Sequence, residues 1–258
     1  MFITLHDGKP VKHIRLQYVT WGLIAVNVLF FAGYFGFDPE SESLARFFST
    51  WGIVPAEISR GNAYETLLTS MFIHGGLMHL GGNMLFLWIF GDNLEETLGP
   101  MRFLGFYLLT GLAAGLLQVV AAPYSTIPVV GASGAIAGVM GGYLLLYPRA
   151  KIDVLLVLIV YVRVIPVAAW LMLGVWFGMQ VIGGFADTGD DGGVAYWAHA
   201  GGFVAGVLLV IPVWLGLGGT ESWRRHHGVP PHPEAVYPLS RSNIPRVRRK
   251  GSRRGPWG

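Results

Sequence analysis

The sequence predicts an all-α polytopic membrane protein with six transmembrane helices. Three observations carry this. Of 258 residues, 53% are hydrophobic and only 13% are charged, where a soluble domain carries roughly 25% charged residues. The mean hydropathy is +0.52. The charges cluster in an N-terminal arm, a few loops and the last forty residues, with long apolar runs between them.

Residues 1–15 read as a short polar arm. His6, Asp7, Lys9, Lys12 and Arg15 precede the first apolar run and no small-residue cleavage site follows it, so a cleavable signal peptide is not expected. Leu16 to about Phe37 forms the first span, long enough for a hydrocarbon core of about 30 Å. Residues 38–70 mix Asp38, Glu40 and Glu42 with Phe47, Phe48, Trp51 and Ile53. They predict short amphipathic helices at the membrane interface. The second span is expected at about Gly76–Phe90, the third at Met101 to about Ala121, and the fourth from Ser133 to near Pro148. Val154–Phe185 is too long for one ordinary span. Residues 149–163 are therefore read as a turn and partly buried approach, with the fifth helix at about Ile165–Phe185. The sixth helix covers about Tyr196–Leu215 and closes a membrane domain of residues 16–217. Residues 218–258, rich in Arg and Pro, predict a disordered basic tail.

Charge sets the expected orientation. With six spans, sixteen of the eighteen Lys and Arg fall on the side of the two termini, and only Arg46 and Arg60 on the other. The positive-inside rule then makes both termini cytoplasmic.

Polar side chains inside spans are costly and mark function by default. The suspects are His74, His79, Asn83, Ser133 and His199. His79 and Asn83, four apart, share a helix face. From Ser133 to Tyr147 is about 22 Å of helix, short of a full ~30 Å span. The fourth helix must therefore begin below the surface, and loop 122–132, with Pro123 and Pro128, must dip to meet it. Irregular backbone at that depth requires a wet cavity or protein cover. Ser133 is thus expected at the floor of a water-filled pocket. Free N–H groups there, with Asn83, could stabilise an oxyanion. Gly134 and Gly138 form one small-xxx-small pair, and Gly202 and Gly206 another. Such pairs let two membrane helices approach closely, bringing His199 to Ser133. No acid sits at helical spacing from His199, so a Ser–His dyad is expected rather than a triad. Taken singly, a serine at a helix start is most often an N-cap and a GxxxG pair most often packing. The functional reading rests on their coincidence.

These residues resemble the rhomboid intramembrane serine proteases over about residues 65–210. The carrying motifs are His79-x-x-x-Asn83, Gly131-Ala132-Ser133-Gly134, and Ala198-His199-x-x-Gly202-x-x-x-Gly206. Phe90-Gly91 and Glu95-x-x-x-Gly99-x-x-Arg102 add to them. The resemblance implies a six-helix rhomboid-like bundle and proteolysis of transmembrane substrates. Ser133 matches the nucleophile and His199 the base. His79, Asn83 and the Ser133 N–H match the oxyanion set, and His74 a second histidine near the site. Glu95 and Arg102 match a structural network flanking the first loop. No metal or cofactor is implied. Ala137 stands where some bacterial members place an aromatic against the histidine. The expected partners are single-span or polytopic membrane-protein substrates and the bilayer, with anionic lipid headgroups along the tail and no nucleic acid. The expected location is a bacterial plasma membrane. The alternatives are a rhomboid-like pseudoprotease that binds membrane-protein clients and a small transporter. The absence of Cys and of His-Glu-x-x-His, and the lack of an Asp pair within two spans, exclude thiolate, zincin and aspartyl chemistries.

Overall fold

A computed structural model describes residues 2–6, 17–38, 40–158, 161–187 and 193–230. Strand β1 (Phe2–His6) precedes helix α1 (Tyr18–Tyr34). Three short helices follow, α2 (Glu42–Trp51), α3 (Pro55–Ser59) and α4 (Thr66–Thr69), and then a 3₁₀ turn, Ser70–Phe72. The long helices are α5 (Leu77–Leu98), α6 (Pro100–Ala121), α7 (Ser133–Leu146), α8 (Ala169–Ala186) and α9 (Tyr196–Gly216). Strands β2 (Lys151–Leu158) and β3 (Tyr161–Ala168) separate α7 from α8, and α10 (Thr220–His226) follows α9. Helices α1, α5, α6, α7, α8 and α9 form a polytopic helical membrane bundle.

Helix α7 is its centre. It is apolar on every side, and a helix of that kind must be enclosed by others. Gly134 through Tyr143 are all buried. Fourteen residues give about 21 Å of helix, against about 32 Å for the 21-residue α9 and 22-residue α6. Ser133 therefore begins its helix well inside the bundle. Helix α8 is the opposite case. It buries Ala169, Leu173 and Gln180 and turns Trp170, Val175, Ile182 and Phe185 outward. With α1, which exposes Leu29 and Phe30, it presents the apolar surface a bilayer would cover.

The segment that dips to Ser133 is fastened at several points. Ile53 and Val129 exchange backbone hydrogen bonds of 2.9 and 2.8 Å, Ala56 N–H donates to Ser125 O, and Gly131 N–H donates to Ser70 O at 2.9 Å. Helix α2, capped by the Ser41 hydroxyl at Leu44 N–H, thus belongs to a scaffold of short helices over this end of the bundle.

Three expectations need correcting. The second helix does not stop near Phe90 but runs on to Leu98. Its extra polar turns have work to do: Glu95, fully buried, accepts from Val19 N–H (3.0 Å), Thr20 N–H (2.8 Å) and Thr20 Oγ1 (2.8 Å). Helix α1 has no side-chain cap of its own, so Glu95 satisfies its free N–H groups from the neighbouring helix.

The stretch read as a turn and buried approach is an antiparallel sheet of order β1-β2-β3. Its β-branched runs suit strands, and Pro166 is tolerated because β3 is an edge. The ladder holds through the Lys151–Ala168 pair, and bonds from Ala169 N–H to Ala150 O and Trp170 N–H to Pro148 O continue it. The fifth helix therefore starts at Ala169 rather than Ile165.

The basic tail is not unstructured from 218. Helix α10 folds back on the bundle, with Trp223 Nε1 donating to Leu145 O at 3.0 Å and its ring 5.0 Å from that of Trp214. The remaining basic residues, Arg241 onward, lie outside the described residues.

Candidate active site

The site forms where α7 and α9 meet. A Cβ on Gly202 would overlap the carbonyl oxygen of Gly134, and one on Gly206 would overlap that of Gly138. The two small-xxx-small pairs lie in register, backbone against backbone. Helix α6 closes the third side through Ala114 against Gly134 and Thr110 against Gly138.

At the end of this seam His199 Nε2 lies 2.7 Å from Ser133 Oγ. Ser133 is the first residue of α7, and the cap position before it, Ala132, offers no side-chain oxygen. The Ser133 N–H is therefore among the first-turn donors with no intrahelical acceptor. Gly131, at φ +130°, turns the chain into the helix, and a Cβ there would lie 2.8 Å from the His79 ring.

Both residues face a cavity of about 880 Å³ shared with His79, Asn83, Gln118 and Trp176. Residues 125, 127–131 and 193–195 also line it. Asn83 is buried, and its amide nitrogen has no hydrogen-bond partner among the described residues. Asn83 lines the cavity with this unpaired donor buried beneath the surface. His79 Nδ1 accepts from Gly75 N–H at 3.3 Å.

His74 is fully buried behind His79, ring centroids 5.2 Å apart, and does not line the cavity. Its backbone is clamped by the Tyr34 hydroxyl, which donates to His74 O and accepts from His74 N–H. It is a support of the site rather than a wall of it. Glu95 and Arg102 do not form the expected network beside the first loop. Glu95 caps α1 near the C-terminal end of α5, the end away from His79, and Arg102 is exposed with no ion pair among the described residues.

Sequence reasoning missed the groups around His199. Gln180 Oε1 lies 2.8 Å from His199 Nδ1. The Trp176 indole lies against the imidazole with centroids 5.8 Å apart, so α8 supplies the aromatic contact that Ala137 of α7 does not. Gln118 Oε1 accepts from Ala198 N–H at 3.0 Å and ties α6 to the start of α9. The signal was present, since an amide in an apolar span is as conspicuous as a histidine.

A helical membrane bundle with a serine and a histidine in contact beside an internal cavity defines the class of protein. The chain belongs to the rhomboid family: the Rhomboid domain model matches residues 61–215. It is 33% identical over 147 residues to "Rhomboid protein 1, mitochondrial" of Saccharomyces cerevisiae, covering 55% of this chain and 40% of that one. It is 29% identical over 209 residues to "Rhomboid protease GluP" of Bacillus subtilis, covering 80% and 36%. With "Rhomboid-like protease 3" of Toxoplasma gondii it shares 31% identity over 150 residues, 56% of this chain and 49% of that one. The matches thus span less than half the length of these relatives.

Proposed function

We propose that the protein is an intramembrane serine endopeptidase that cleaves transmembrane-helix substrates, with Ser133 as nucleophile and His199 as base. The observation that carries this reading is the 2.7 Å contact between Ser133 Oγ and His199 Nε2 on the wall of a cavity inside the bundle. Family membership and the protease names of its relatives support it.

In the mechanism His199 Nε2 takes the hydroxyl proton as Ser133 Oγ attacks the scissile carbonyl carbon. The oxyanion receives hydrogen bonds from the Ser133 N–H and the free Asn83 amide, with His79 alongside. Protonated His199 then gives its proton to the departing amine. Water from the cavity, activated by the same imidazole, hydrolyses the acyl-enzyme. A substrate helix must unwind locally, because its backbone groups are otherwise paired. Cleavage is therefore expected near small residues and helix breakers, and replacing these with Leu should slow it.

The charge distribution supports cytoplasmic termini and a cavity opening to the opposite face of a bacterial plasma membrane. The basic tail would add roughly 1 kcal/mol per Lys or Arg held near anionic headgroups.

The test is cleavage of a single-span reporter by purified protein in detergent, with Ser133→Ala and His199→Ala alongside. Cutting by wild type and silence of both variants is expected. Equal cutting by all three, or none by any across several reporters, overturns the reading.

A further inference from the structure

His199 is held at both ring nitrogens. Nε2 meets Ser133 Oγ at 2.7 Å and Nδ1 meets Gln180 Oε1 at 2.8 Å. The Gln180 amide nitrogen donates to Trp176 O, one turn back in α8, at 3.3 Å. That bond fixes which way the amide points, because a flipped amide would set its oxygen against a carbonyl oxygen. The oxygen facing His199 can only accept. The proton must then sit on Nδ1, and the Nε2 lone pair faces the serine hydroxyl. Gln180 is buried, 7% exposed, so water does not compete for its carbonyl. Trp176 packs against the same ring, its plane tilted 33° from it.

No carboxylate touches His199 among the described residues. The titratable side chains that share the cavity with it are His79 of α5 and Asp187, while α7 presents Ser133 and α6 presents Gln118. Asp187, just past the end of α8, makes no hydrogen bond or ion pair with His199 and is not free. An ionised acid buried beside His199 would carry a heavy desolvation cost. A neutral amide orients the ring without that cost.

We infer that Gln180 is the positioning residue of the site: a neutral third member that sets the His199 tautomer and ring plane from helix α8. This rests on the reading of Ser133 as nucleophile and His199 as base.

The test compares wild type, Gln180→Leu and Gln180→Glu, with Ser133→Ala as the blank, measuring kcat and KM for the reporter span across pH. Leu fills the space without an acceptor. It should lower kcat about 10- to 100-fold, by analogy with the loss when a metal-ligating histidine loses the hydrogen-bond partner of its other ring nitrogen. KM should stay within about twofold, since Gln180 holds His199 and not the substrate. Glu restores the acceptor and should bring kcat back to within about threefold at high pH. A carboxylate there favours the protonated imidazole, so the acid limb of the profile should move up by about one pH unit.

A Leu variant with wild-type kcat overturns the inference, as does a Glu variant whose acid limb does not move. If Leu also lowers the melting temperature, the Glu profile decides alone. Silence of wild type would instead count against the Ser133–His199 reading. Active wild type, a silent Ser133→Ala and unaffected Gln180 variants would remove only the role of Gln180.

Discussion

Replacing Gly202 by alanine tests whether backbone contact between α7 and α9 sets the Ser133–His199 distance. The added methyl would overlap the Gly134 carbonyl oxygen and lie 2.9 Å from its carbonyl carbon. Carbon atoms prefer about 3.5–4.0 Å, so α9 must retreat by about 1 Å. The obstacle is backbone at the core of the bundle, and no flexible side chain can yield instead. His199 lies one turn before Gly202 and moves with it. Its 2.7 Å contact with Ser133 would stretch beyond hydrogen-bonding range. A misplacement of that size costs about 10²-fold in rate, and overpacking a full core costs about 1–3 kcal/mol of stability. The assay is kcat for reporter cleavage, together with thermal unfolding in the same detergent. Gly105→Ala is the control, since a Cβ at Gly105 has nothing within 4 Å and Ala is the better helix former. A Gly202→Ala enzyme with kcat within about threefold of wild type would refute the reasoning.

Asn83→Ala should lower kcat about 10²- to 10³-fold with little change in KM, the signature of a lost oxyanion donor, read from the same reporter kinetics. His74→Phe should keep kcat within a few-fold of wild type, because His74 stands behind His79 rather than on the cavity wall. Glu95→Ala removes three hydrogen bonds from the start of α1 and should cost about 2 kcal/mol or more, seen as a lower melting temperature. A chain ending after residue 219 loses the Trp223 contacts with Leu145 and Trp214 and should melt lower than one ending after residue 230.

Much of the bundle was legible because its signals are local. The start of α7 at Ser133 follows from a short apolar run behind Pro128 and Gly131. The seam follows from glycines at four-residue spacing on two helices. What escaped depends on pairing between distant segments. Glu95 was expected, from the resemblance, in a network flanking the first loop, yet its hydrogen bonds go to Val19 and Thr20 at the start of α1, about 75 residues away. The charges after Phe90 look like the end of a span because nothing local shows that an acid there caps another helix. Residues 151–168 carry β-branched and charged residues together, a mixture that fits an interfacial approach as well as a hairpin. The sheet is decided by hydrogen-bond partners, β1 from the chain start among them. Gln180 has no spacing relation to His199, and only the α8–α9 contact makes them neighbours.

The bundle therefore divides the site between its tightest and its loosest packing. Ser133 and His199 are tied to the α7–α9 seam, where Gly202 and Gly206 sit against the backbone of Gly134 and Gly138 and leave no room for a side chain between the helices. Gln180 and Trp176, which hold the other nitrogen and the flank of the same imidazole, come from α8, the helix that turns most of its apolar side chains outward. A sideways shift of α8 would break the Gln180 contact while leaving the α7–α9 spacing intact. Ring orientation and Ser–His distance are thus governed by different helices. Gly202→Ala acts on the distance and Gln180→Leu on the orientation, and because both converge on one imidazole their combined loss should be less than the product of the two.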